Sequence, residues 1–213
     1  VIVNADFLNQ WQHKGHCYGE CMTSATTDLM YIHIPKNASS WTKPNLQDWG
    51  WEFYNYHLDM VSPYKHAIIV LRDPVDRWLS GIGEYFTLYH KNIDLAFLGR
   101  GFFDLVFDRI AFDDHTERQV NFISGIDTAR ATFFLCDKNY RQNFGEFVAK
   151  HLGENGYHRY DYQHVSENSP ERQRIKNIFK QELEKNSKYQ RQLKNYFQLD
   201  YELIEQVEFY GTR

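Results

Sequence analysis

Apolar residues gather along this chain in three short uninterrupted runs, Leu29 to Ile34, Ala67 to Leu71 and Thr132 to Cys136, and helical periodicity follows each of them. Runs rich in Ile, Val or Phe that lack polar alternation have the pattern of strands covered on both faces. Strands alternating with helices in this way predict an α/β fold, with a central parallel sheet flanked by helices.

Arg72-Asp73-Pro74 follows the second run. Asp73 suits a helix cap, and Pro74 suits the first helical position, where its missing N–H costs nothing. Beyond it Trp78, Ile82, Tyr85 and Tyr89 share one face at helical spacing, which predicts a core stripe, while Arg77, Ser80 and Glu84 fall on another. Ser169-Pro170 repeats the cap-then-proline signal ahead of Ile175, Ile178, Phe179 and Leu183, the stripe of a long charged surface helix. No Pro/Gly/Ser-rich linker, internal repeat or low-complexity stretch interrupts the 213 residues. The expectation is therefore a single domain over 28–213 behind an N-terminal arm at 1–27.

Hydrophobic residues at 42% and charged residues at 24% are those of a soluble globular protein, and no apolar run approaches the length of about 18 residues that a membrane span needs. A formal charge of −4 argues against a broad nucleic-acid surface. Any anion site is then local, with Lys36, Arg72 and Arg77 as the cations to converge on it. Three cysteines make no disulfide framework, and no secretory leader precedes them, so a reducing, cytoplasmic compartment is expected. His13, His16, Cys17 and Cys21 lie close together and raise the question of zinc, but their spacing is not that of a finger. A mobile arm, or a local Cys17–Cys21 disulfide formed on oxidation, suits them better. Aromatics reach 17%, and the run Trp49, Trp51, Phe53, Tyr54 and Tyr56 reads as core packing ahead of a sugar-stacking surface.

Candidate chemistry concentrates in Tyr31-Ile32-His33-Ile34-Pro35-Lys36-Asn37-Ala38-Ser39-Ser40-Trp41, an apolar strand that runs into a lysine and two hydroxyls at a helix start. Backbone amides, an ammonium and hydroxyls packed this closely form a cradle for a phosphate or sulfate group. A Walker A loop needs a Gly-Lys pair just ahead of its hydroxyl, and the chain contains no Gly-Lys pair. An ordinary nucleoside triphosphatase is disfavoured, and Lys36 would carry the positive charge that magnesium supplies there.

Pro35-Lys36-Asn37-Ala38-Ser39-Ser40-Trp41 resembles the 5′-phosphosulfate loop of sulfotransferases that use 3′-phosphoadenosine 5′-phosphosulfate (PAPS). Arg72-Asp73-Pro74-Val75-Asp76-Arg77-Trp78-Leu79-Ser80 is similar to the 3′-phosphate motif of the same family, in which an arginine at a strand end and a later serine grip the phosphate. More weakly, Asp114 to Gln119 is similar to a D-x-H-x-x-x-Q-like stretch of carbohydrate sulfotransferases, His164 to Ser169 to a loop that closes over the nucleotide, and Asp200-Tyr201 to a terminal element. The resemblance covers roughly residues 28 to 205, with specificity concentrated in the first two motifs.

What the resemblance implies is a P-loop-like sulfotransferase fold and in-line transfer of a sulfuryl group from PAPS to an acceptor hydroxyl, most simply on a carbohydrate, with no metal required. Lys36, Asn37, Ala38, Ser39, Ser40 and Trp41 would hold the 5′ side, Arg72 and Ser80 the 3′-phosphate, and Ser166 would belong to the closing loop. Lys36 would also stabilise the departing phosphate. The general base would be His57, which lies between the two cofactor motifs, with His115 as the alternative and Glu52 as a third choice. The compartment implied is that of soluble bacterial or viral relatives. Since the chain opens on Val1 rather than Met, a Golgi-lumen enzyme with its anchor removed is the alternative. A P-loop-like kinase and a non-catalytic nucleotide-binding protein are the competing functions. Pro44 departs from the family pattern, and the helix behind the loop is expected to be short, kinked or displaced.

Overall fold

The computed structural model describes residues 18–55, 66–90, 99–152 and 169–211. Its strands are β1 (Glu20–Thr23), β2 (Leu29–Ile32), β3 (Glu52–Asn55), β4 (His66–Leu71) and β5 (Ala131–Leu135). Its α-helices are α1 (Ser39–Asp48), α2 (Pro74–Tyr89), α3 (Arg100–Arg109), α4 (Tyr140–Leu152), α5 (Pro170–Lys185), α6 (Ser187–Tyr196) and α7 (Gln198–Gln206). The fold is α/β, and the chain divides into two compact units interleaved along the sequence. A sheet-bearing unit takes its described residues from Cys17–Asp73, Gln119–His164 and Glu202–Arg213, and a helical unit from Pro74–Arg118 and Val165–Tyr201.

The sheet runs in the order β3-β1-β2-β4-β5 and is mixed, which corrects the expectation of a parallel sheet. The three apolar runs supply its parallel part, β2 with β4 and β4 with β5. On the other side of β2, β1 and β3 add antiparallel pairs, Cys21 opposite Ile32 and Met22 opposite Phe53. A tight turn leads from β1 to β2, closed by the Ser24 and Thr26 hydroxyls at 2.9 Å and by Leu29 N–H donating to Thr27 Oγ1 at 3.2 Å. So short a connection can join only antiparallel neighbours.

Strand β4 is buried on both faces, as its unbroken apolar pattern predicts. Ile68 and Val70 join Met22, Tyr31 and Phe134 under Trp41 and Leu46 of α1 and Phe144, Phe147 and Val148 of α4. Ala67, Ile69 and Leu71 join Cys21, Ile32 and Phe133 against Phe122, Leu203 and Ile204.

Helix α1 continues past Pro44 but stops after ten residues. Gly50 adopts φ +77°, so its N–H reaches Gln47 O at 2.9 Å and that of Trp51 reaches Leu46 O at 3.0 Å, the two bonds of a Schellman stop. Leu46 and Trp51 then pack in the same apolar cluster.

The helical unit is built around aromatic rings: Trp78, Phe86, Phe102, Phe107, Phe179 and Tyr189 are all buried. Helix α2 starts at Pro74, as the sequence predicts. Its stripe holds for Trp78, Ile82 and Tyr85, whereas Tyr89, on the final turn, is 43% exposed. Helix α5 is capped by Ser169, whose side chain accepts from Arg172 N–H, and its stripe is buried at Ile175, Phe179 and Leu183. Among the described residues, no helix is long and apolar enough to cross a membrane.

Candidate functional site

Between β2 and α1 the backbone turns sharply, and two of its non-glycine residues, Lys36 at φ +68° and Ala38 at φ +56°, occupy the left-handed region. Each such residue costs about 1–2 kcal/mol, so the loop keeps this shape only if its surroundings impose it. Three sets of side-chain bonds do so. Arg72 Nη1 donates to the Lys36 carbonyl at 3.2 Å. The Asn37 amide, fully buried, donates to Val70 O and to Gln119 Oε1, both at 2.7 Å. Thr42 Oγ1 donates to Ala38 O at 3.1 Å and lies 2.7 Å from the Tyr140 hydroxyl. Complete burial holds that phenol far above its ordinary pKa, so it stays a neutral hydrogen-bonding group.

The conformation presents hydrogen-bond donors. Ala38 occupies the N-cap without a side-chain oxygen to offer, and its carbonyl receives Trp41 N–H and Thr42 N–H at 2.9 and 3.0 Å. The N–H groups of Ser39 and Ser40 have no acceptor among the described residues, as in the first turn of any α-helix, where such groups can receive an anion. Ser39 is buried and Ser40 exposed, and Lys36 and Arg72 are half-buried. Main-chain N–H groups, hydroxyls and an ammonium are the chemistry that suits a phosphate or phosphosulfate group, and the Arg72 guanidinium is tied to the same loop through the Lys36 carbonyl. Trp41, expected among the cofactor-binding residues, turns its ring into the core, edge-on to Tyr140 and Phe144.

No family model, curated protein or solved structure matches the chain.

Within the helical unit, Ser80 lies half-buried on α2. Arg77, expected to help converge on an anion, is instead fully buried and donates to Asp114 O at 2.8 Å and to Glu117 O. Its guanidinium organises the loop that carries His115. There His115 Nδ1 lies 2.8 Å from Asp113 Oδ2, and His115 N–H donates to Asp113 Oδ1 at 3.0 Å. Asp113 is only 2% exposed, and a buried carboxylate in this position orients the imidazole and keeps the proton on Nδ1. Nε2 then presents a lone pair, and it has no partner among the described residues.

Glu52, the third candidate base, is exposed on β3 and accepts from the Tyr54 hydroxyl at 2.6 Å. That carboxylate pushes the Tyr54 phenol up from its usual pKa. In the same aromatic run Trp51 is core, whereas Phe53 and Tyr54 are 39% and 48% exposed. His57, Ser166, His13, His16 and Cys17 lie outside the described residues. Cys21 is buried in β1, and no group of three or more His, Cys, Asp or Glu side chains suited to a metal occurs among the described residues. Sequence reasoning gave Gln119, Thr42 and Tyr140 no role. Only Gln119 left a signal, as the last residue of the D-x-H-x-x-x-Q-like stretch.

Proposed function

We propose that this chain is a sulfotransferase that moves a sulfuryl group from PAPS to an acceptor hydroxyl, most simply that of a carbohydrate. The observation that carries the reading is the β2–α1 loop, in which the left-handed Lys36 and Ala38 lead into a helix start whose N-cap offers no side-chain oxygen, next to the Ser39 and Ser40 hydroxyls in sequence. PAPS, when bound, supplies the activated sulfuryl group. The loop amides and hydroxyls hold its 5′ side, and Lys36 balances the charge that builds on the departing phosphate. Arg72 takes the 3′-phosphate, leaving one of its N–H groups on the Lys36 carbonyl. The candidate bases for the acceptor hydroxyl are His57, which lies outside the described residues, and His115, whose Nδ1 lies beside the Asp113 carboxylate. No step calls for a metal.

Calorimetry with adenosine 3′,5′-bisphosphate and with ATP plus magnesium, followed by transfer of radiolabelled sulfate from PAPS to a panel of hydroxyl acceptors, tests the reading. The bisphosphate is expected to bind more tightly than ATP. Lys36→Ala is expected to slow transfer by about 10²–10³-fold, the usual loss for one oxyanion donor, and His57→Gln and His115→Gln separate the two candidate bases, since loss of the base slows transfer without weakening bisphosphate binding. Tighter, magnesium-dependent ATP binding would overturn the proposal in favour of a kinase. Bisphosphate binding without transfer to any acceptor would leave a nucleotide-binding protein.

A further inference from the structure

Gln119 opens the short 3-10 helix Gln119–Ile123 and is fully buried. Its side-chain amide bonds in three directions. Oε1 accepts from Asn37 Nδ2 at 2.7 Å and from Arg72 N–H at 3.0 Å, and Nε2 donates to Arg72 O at 2.9 Å. The network allows one orientation only. Rotating the Gln119 amide by half a turn would set its NH2 against two donors, and rotating Asn37 would aim its carbonyl at Val70 O and Gln119 Oε1. One buried amide thus grips both main-chain groups of Arg72 and the middle residue of the strained loop.

We infer that Gln119 is a positioning residue that locks the anion loop onto the end of β4, fixing Asn37 against Arg72 so that the left-handed Lys36 and Ala38 persist without ligand. The inference rests on the sulfotransferase reading for its binding consequence but not for its structural one. Gln119→Ala removes all three bonds. Gln119→Glu is nearly isosteric, and its ionised form keeps the two acceptor contacts but turns a second oxygen on Arg72 O and places a negative charge beside an anion site. Once protonated, its carboxyl regains a donor for that carbonyl, and burial raises the pH at which this occurs.

The test combines hydrogen exchange of the ligand-free chain with calorimetry of adenosine 3′,5′-bisphosphate at pH 8 and pH 5.5, for wild type and both variants. The expected result is faster exchange over residues 36–40 with α4 unchanged, and bisphosphate affinity at pH 8 about tenfold or more weaker in both variants. The deficit of Gln119→Glu relative to wild type should narrow at pH 5.5, while that of Gln119→Ala should not. Wild-type affinity in Gln119→Glu at pH 8 would overturn the inference. So would exchange that rises across β4 and α4 alike, or failure of both variants to fold, since Gln119 would then serve the core as a whole. If wild type does not bind the bisphosphate yet loop exchange rises in the variants, the lock stands and the sulfotransferase reading fails.

Discussion

Gly81→Ala places a methyl group where the fold leaves no room. An ideal Cβ at Gly81, in the middle of α2, would lie 1.9 Å from His115 O and 2.6 Å from His115 C. Real Cβ contacts essentially never fall below 3.0 Å, so the loop would have to retreat by about 1.1 Å or the helix would have to bend. That loop is held by the Asp113 carboxylate on His115 N–H and by Thr116 Oγ1, which accepts from Phe112 N–H and Asp113 N–H at 2.8 and 3.1 Å. Overpacking of this kind costs about 1–3 kcal/mol, and breaking one or two buried hydrogen bonds adds about 1 kcal/mol each. Better helix propensity returns about 1 kcal/mol. The net loss is on the order of 1–4 kcal/mol, which lowers Tm by roughly 2–16 °C for a chain of this size. Scanning calorimetry reads it directly. Gly83→Ala is the internal control, because its Cβ would stand 3.2 Å from Arg172 O, a contact that a shift of a few tenths of an ångström relieves. A Gly81→Ala protein that melts with wild type, or above Gly83→Ala, would refute the packing argument.

Gly50→Ala tests the opposite case, since nothing lies within 4 Å of its Cβ while φ is +77°. The loss should be pure backbone strain of about 1 kcal/mol, visible as a small drop in Tm, and Gly50→Asn should recover part of it. At His90, burial holds the imidazole down to a pKa of about 4. Between there and the unfolded value of about 6.5 the unfolded chain binds more protons, so stability is full above that window and falls as pH drops through it. Thermal melts at pH 7.5 and pH 5 should therefore differ more in wild type than in His90→Gln, and equal differences would exclude His90 as the cause.

The parts of this fold that show in the sequence are those fixed by local chemistry. Ala67 to Leu71 has no polar position because β4 faces apolar clusters on both sides, and Asp73-Pro74 marks the start of α2 because proline fits there. Strands β1 and β3 escaped notice for a physical reason. Glu20-Cys21-Met22-Thr23 and Glu52-Phe53-Tyr54-Asn55 are four-residue segments with polar ends, and they are extended because β2 offers an open edge on which β1 and then β3 can pair. Lys36, Ser39, Ser40 and Arg72 could be picked out as candidate anion ligands because charge and hydroxyl content are written in the residues themselves. Arg77 could not be told from them. That its guanidinium meets the Asp114 and Glu117 carbonyls depends on a loop some forty positions further on. The same holds for the Asp113 carboxylate beside His115, where the residue pair is visible but its geometry is not.

The hydrogen bond between Asn37 and Gln119 spans 82 positions of sequence, and this has a consequence for the order in which the molecule is made. During synthesis the loop emerges long before the glutamine that completes it, and the entropy of closing so long a segment falls due before any bond rewards it. Until then Lys36 and Ala38 have every reason to relax to negative φ. A nascent chain or a fragment ending short of residue 119 carries every donor of the cradle yet not its shape, so the loop matures in one of the last folding events rather than the first.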